Sequence, residues 1–102
     1  MMIRVSVLYP RITGKKFDME YYKNHHMPLV KKRLAPLSVE IDIGIPNAQG
    51  QEAPYVAIAH MTFASNEELA ARYALVAQEL HADIPRYTDI EPIRQLSDVI
   101  AI

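Results

Sequence analysis

The chain contains no cysteine. That absence removes disulfides, thiolate catalysis and thiolate metal sites from consideration, and it fits a reducing compartment. Glycine is sparse, with three in 102 residues, and none lies in the glycine-rich pattern that cradles a nucleotide or flavin phosphate. An excess of positive charge is also missing. With 11 basic and 12 acidic side chains and a formal net charge of −1, the protein offers no field for neutralising a phosphate backbone, so nucleic acid is not an expected partner. The apolar stretch at the N-terminus, Met1 to Tyr9, is too short for a signal peptide and far too short for a membrane span. These features place the chain in the cytoplasm, away from membranes.

What is present is the balance of a folded domain: half of the residues are apolar and 23% are charged. At this length the chain is one domain, residues 1–102, and a domain so small gains from burying surface against a partner. Ile3, Val5, Val7 and Tyr9 alternate with Arg4, Ser6 and Leu8, the period of a half-buried strand, up to Pro10. Asp18 then offers a side-chain acceptor for a helix start, with Phe17 and Tyr22 spaced as a hydrophobic staple. The helix carries Tyr22, Leu29, Val30 and Leu34 on its apolar face. Pro28 has no amide for the carbonyl of Asn24, which predicts a kink near His26.

Leu37, Val39, Ile41 and Ile43 alternate with Ser38, Glu40 and Asp42 as a second strand ending at Gly44. Residues 45–54, with Pro46, Asn47, Gly50 and Pro54, form a loop long enough to serve as a lid. Tyr55 to Phe63 is a third strand, with Tyr55, Ala57, Ala59, Met61 and Phe63 on one face and Val56, Ile58, His60 and Thr62 on the other. Ser65-Asn66-Glu67-Glu68 reads as a capping box, followed at helical spacing by Leu69, Tyr73, Val76, Ala77 and Leu80. Asp83 to Thr88 is a connection containing Pro85. A β-prone tail follows from Ile90, interrupted near its start by Pro92, with Leu96, Val99, Ile100 and Ile102 expected in the sheet or a dimer contact.

The order β-α-β-β-α-β predicts an α+β, ferredoxin-like fold: an antiparallel four-stranded sheet with two helices on one face. Strands apolar on both sides, with no further helix to cover the second face, predict a homodimer packed sheet to sheet.

The richest chemistry lies in Phe17-Asp18-Met19-Glu20-Tyr21-Tyr22-Lys23-Asn24-His25-His26-Met27-Pro28-Leu29. Tyr22 and His26 stand four apart and share a helical face. Amides freed beyond Met27 would hold positive partial charge toward His26 and favour its neutral form, which can take and return a proton near pH 7. His26 is therefore the candidate acid/base, with Tyr22 as hydrogen-bond partner to a substrate oxygen. The bland alternative is that both side chains merely pack the kink. His25 points about 100° away on an ideal helix and is expected to be exposed. It stays a substrate-binding candidate because the sequence alone does not fix which imidazole faces the cleft. His60 is a candidate for lining the barrel interior or the cleft beneath the helices, although an apolar strand favours a satisfied core histidine over a catalytic one. Tyr87 is a candidate for closing the pocket mouth with its hydroxyl. The four histidines show no ligand spacing, so no metal is expected, and nothing signals another cofactor. Lys15, Lys16, Lys23, Lys31, Lys32 and Arg33 make the first helix and its approach basic, which would draw an anionic substrate or simply be a solvated face.

Phe17, Tyr21, Tyr22, His26, Pro28 and Leu29 resemble the Phe-x-x-x-Tyr-Tyr-x-x-x-His-x-Pro-Leu stretch of the EthD family, named for ethyl tert-butyl ether degradation. Tyr55 to Phe63 and Ala82 to Pro92 are similar to two further family segments, so the resemblance spans nearly the whole chain. It implies a dimeric α/β barrel, with a ferredoxin-like half-barrel from each subunit, and the His-x-Pro spacing selects His26 over His25. Members accompany oxidative catabolism or polyketide-type pathways, and relatives in the wider superfamily include cofactor-free monooxygenases, cyclases, lactone isomerases and haem proteins. Fold alone does not choose among them. The function expected is a cofactor-independent enzyme of oxygenase, cyclase or isomerase type acting on a hydrophobic aromatic or carbonyl-bearing metabolite. The alternative is a non-catalytic dimeric metabolite-binding or accessory protein in a catabolic pathway.

Overall fold

The computed structural model describes residues 2–102. Its elements are β1 (Ile3–Pro10), α1 (Met19–Tyr21), a π-helical turn (Tyr22–His26), α2 (Met27–Leu34), β2 (Ser38–Ile43), β3 (Tyr55–Phe63), α3 (Asn66–Asp83), a 3-10 turn (Ile84–Arg86) and β4 (Ile93–Asp98). The four strands form one antiparallel sheet in the order β2-β3-β1-β4. This is the expected ferredoxin-like arrangement.

Register sorts the side chains. Val5 lies opposite Met61 and Leu96, and Val7 opposite Ala59 and Arg94. Side chains opposite one another share a sheet face, so all six point the same way. On that face Tyr9, Ala57, Ala59, Met61 and Phe63 are buried against Tyr22, Met27, Val30 and Leu34 of the first helical segment and Leu69 and Leu80 of α3. Among the described residues no layer covers the opposite face. The row Ile93, Leu8, Ile58 crosses it, while Arg4, Ser6, His60, Glu40 and Asp42 make the rest polar. The strands are thus apolar on both sides only along one band of the open face.

Asp18 caps the first helical segment, its carboxylate accepting the Tyr21 amide, and Phe17 meets Tyr22 at 5.0 Å between ring centroids. Instead of a sharp kink, Pro28 is met by a π-turn: the Met27 amide reaches back five residues to the Tyr22 carbonyl. A proline ring crowds the carbonyl four residues before it, and a widened turn relieves that crowding without ending the helix. Ser65 caps α3 by accepting the Glu68 amide. Arg72 of α3 donates to the carbonyls of Leu34 and Ala35, satisfying the C-terminus of α2, where Ala35 adopts a left-handed φ of 46°.

Two expectations need correction. Asp83 is the last residue of α3 rather than part of a loop, because Pro85 falls where the helix has already tightened into its 3-10 turn. Residues 45–54 are held by the Gly44 amide on the Val56 carbonyl and an Asn47 turn, and they do not border the main cavity, so they form no lid over it. Leu96 lies in β4 of the sheet as expected, and Leu96, Ile100 and Ile102 are exposed in the single chain, so the sheet alone does not bury them.

Candidate active site

Between the sheet and the helices lies a cavity of about 370 Å³, within the size range of small-molecule sites. Its walls are mostly aliphatic, from Val5, Val7, Ala59 and Met61 of the sheet and Met27, Val30, Leu34 and Leu69 of the helices. Tyr9, Tyr22, His26, Tyr73, His81 and Arg94 also border it.

His26 is held by a residue far away in sequence. Its Nδ1 lies 2.9 Å from Oδ2 of Asp83, and Oδ1 of Asp83 accepts the Tyr21 hydroxyl at 2.8 Å. The Arg86 guanidinium stands 3.7 Å from the same carboxylate. Burial alone would raise the Asp83 carboxyl. The hydrogen bonds from His26 and Tyr21, with the charges of His26 and Arg86, hold it below its ordinary value instead. An ionised carboxylate can only accept, so Nδ1 of His26 carries the proton. Burial lowers the His26 pKa below its ordinary value, against the upward pull of the Asp83 hydrogen bond and charge. The ring is consequently neutral at pH 7, and Nε2 is a bare lone pair. Among the described residues Nε2 has no hydrogen-bond partner, and water can reach it.

The neutrality of His26 has a different origin from the one the sequence suggests. The helix continues through Met27, whose amide is bonded to Tyr22, so no free helix N-terminus faces the imidazole. Burial does the work instead.

Tyr22 is fully buried, with its ring stacked on His26 at 15° between planes and 6.1 Å between centroids. Burial, with Tyr9 adding, pushes its phenol far above the ordinary value, so it stays a protonated donor. Its hydroxyl is sealed from water and has no partner among the described residues. Such a group costs roughly 1–3 kcal/mol. Behind it, the Tyr9 and Tyr87 hydroxyls bond to each other at 2.5 Å.

The structure brings Tyr22 and His26 together at the cavity and leaves the other three candidates outside it. His25 is exposed, its ring 5.0 Å from that of Tyr21 on the outer side of the helix. His60 lies on the open face of the sheet, where Nε2 meets Asp42 at 2.9 Å and Nδ1 meets Ser6 Oγ at 3.1 Å. Strand alternation puts His60 opposite to Ala59 and Met61, so it is absent from the cleft beneath the helices. Tyr87 is fully buried, 4.6 Å from His26 between ring centroids, and supports the imidazole from behind instead of closing a mouth.

Sequence reasoning missed Asp83, which sits 57 residues from His26, and Tyr73 with His81. Tyr73 and His81, eight apart on α3, are joined hydroxyl to Nε2 at the cavity. An eight-residue spacing on a helix is a same-face signal that could have drawn attention to them. No group of three or more His, Asp or Glu side chains converges as metal ligands among the described residues, and no helix there is long and apolar enough to cross a membrane.

No curated protein matches the sequence. The pattern of the EthD domain matches residues 10–91. A crystal structure of an EthD-like protein from Ralstonia eutropha JMP134 is similar over 98% of this chain and 93% of that one, at 37% identity and a TM-score of 0.92. An ethyl tert-butyl ether degradation (EthD) family protein from Bacillus halodurans C-125 covers 98% of this chain and 100% of its own at 16% identity, with a TM-score of 0.78. A DABB family protein with a ferredoxin-like fold from Mesorhizobium loti shares the fold at a TM-score of 0.55, with 14% identity over 98% of both chains. The extent of the domain match and the identity to the Ralstonia protein show that this chain belongs to the EthD domain family.

Proposed function

We propose that the protein is a small proton-transfer enzyme acting on an apolar metabolite that carries a carbonyl or phenolic oxygen. The observation that carries this reading is His26: Nδ1 is fixed on the Asp83 carboxylate while Nε2 stands unpaired beside an apolar cavity. A carbon acid or phenol in the cavity gives its proton to Nε2, forming an imidazolium that Asp83 stabilises. The negative charge left on the ligand collects on its oxygen, and the Tyr22 hydroxyl, closed off and unpaired in the free chain, donates to it once the bound ligand displaces the side chains that cover it. Returning the proton to another atom completes an isomerisation. The same enolate or phenolate is the starting species for a cyclase or a cofactor-independent oxygenase.

Purified protein in deuterated buffer with a panel of aryl-substituted β-diketones tests this, with loss of the acidic carbon-bound proton followed by NMR. Catalysed exchange is expected, reduced at least a hundredfold in His26→Asn. Equal exchange by wild type and a folded His26→Asn protein would refute the role of His26. Stoichiometric retention of a ligand without any exchange would make this a binding protein.

We also infer that a second copy covers the open sheet face. The band Ile93, Leu8, Ile58 would lie in that contact.

A further inference from the structure

The cavity holds a cation that proton transfer does not use. Arg94 lies opposite Val7 in the sheet, and Val7 opposite Ala59, so the guanidinium stem leaves β4 on the helix-facing side. It borders both this cavity and a second depression beside it, of about 620 Å³, formed with Lys16, Asp89 and Glu91. Among the described residues Arg94 makes no ion pair and no side-chain hydrogen bond, whereas Arg11, Arg33, Arg72 and Arg86 are each paired. Among the described residues no carboxylate borders this cavity, so an anion entering it meets this guanidinium without a competitor inside. Asp89, in the neighbouring depression, is engaged by the Lys16 amide. The basic run on the first helical segment does not serve the cavity: Lys23, Lys31, Lys32 and Arg33 are exposed and none borders it. The charge of Arg94 is felt at the inner end, where it partly offsets the effect of burial on the Tyr9 phenol.

We propose that Arg94 is an anion subsite of this cavity, and that the metabolite is an apolar molecule with a carboxylate at the β4 edge and its reacting end at His26. The substrate class rests on the proton-transfer reading; the subsite itself does not. Guanidinium suits the role because its planar fork matches a carboxylate in two parallel hydrogen bonds, a geometry that holds the pair together although Arg94 is exposed and solvent screens its charge. A carboxylate held there would also orient the ligand, because the aliphatic walls offer it no other ionic partner.

Matched probes test the subsite. Binding of 2-naphthoate and of 2-naphthamide is measured by calorimetry at pH 7.5 for wild type, Arg94→Gln, Arg94→Lys and His26→Asn. Wild type is expected to favour the carboxylate by roughly threefold to fivefold, the scale of a solvent-exposed charge pair. Arg94→Gln should bind both probes with the affinity wild type shows for the amide, and Arg94→Lys should keep part of the preference. His26→Asn should keep all of it, which separates failure of this subsite from failure of the proton-transfer reading. A preference that survives Arg94→Gln, no preference in wild type, or no binding of either probe would overturn the proposal. Because Arg94 is exposed, its replacement leaves the core untouched, and an unchanged thermal midpoint verifies this.

Discussion

Replacing Tyr22 by Phe removes one oxygen from the most enclosed side chain in the site. Phe keeps the ring and its edge-on contacts with Tyr9 at 5.7 Å and Phe17 at 5.0 Å. The hydroxyl it deletes has no partner and is shielded from water. Relief of that desolvation is worth about 1–3 kcal/mol. A void the size of one oxygen, roughly 10–15 Å³, costs about 0.3 kcal/mol at ~24 cal/mol per Å³. Tyr22→Phe should therefore stabilise the free protein by about 1 kcal/mol, raising the thermal midpoint by roughly 4–8 °C for a domain of this size. The same change removes the donor for the ligand oxygen and should slow catalysed exchange about a hundredfold. Scanning calorimetry and the deuterium-exchange assay on one preparation measure both. Greater stability with lost activity marks a hydroxyl kept for function at a cost to folding. A lower midpoint would show that the hydroxyl has a partner in solution, and unchanged exchange would show that it does not touch the reacting oxygen.

Asp83→Asn keeps the shape of the group on His26 and removes its charge, so the His26 pKa should fall further, as imidazole NMR titration would show. Exchanging charge-assisted hydrogen bonds for neutral ones should also cost about 1–2 kcal/mol in urea unfolding. In wild type the native His26 pKa lies below the unfolded value of 6.5. The unfolded chain therefore takes up the proton first, and stability should decline as pH falls from about 6.5 through the native pKa; Asp83→Asn should extend this decline to lower pH. Gly44→Ala places a Cβ 2.2 Å from the Tyr55 carbonyl oxygen and should destabilise the chain by about 2–3 kcal/mol in the same unfolding assay. Ile58→Lys puts a charge in the apolar band of the open sheet face and should shift sedimentation from dimer to monomer without unfolding the subunit. A dimer that persists would place the contact elsewhere.

The fold was legible because its signals are local. Alternation in Ile3 to Tyr9 and Tyr55 to Phe63 marks strands whose two faces differ, and Asp18 and Ser65 cap the helices they precede. Pro28 announced a disturbance but not its form, since a kink and a π-turn both answer a missing amide, and packing around Tyr22 and His26 decides between them. The pair Tyr22 and His26 was legible from helical spacing together with the family resemblance. Asp83 was not: its sequence neighbourhood reads as a proline-containing connection, and only folding carries it to His26. Alternation separates the two faces of β3 but does not say which one meets the helices, so the sequence allows His60 either of two settings. Arg94 was equally hidden, because its direction follows from the pairing of β4 with Val7.

The most direct test is the protonation state of His26 itself, read from nitrogen-15 shifts of its imidazole across pH 4–9. A neutral ring at pH 7 with the proton on Nδ1 and a pKa below 6.5 is the predicted result, because it leaves Nε2 free to take a proton from a ligand. A proton on Nε2, or a pKa above 6.5, would contradict the account, for the nitrogen beside the cavity would then already be occupied.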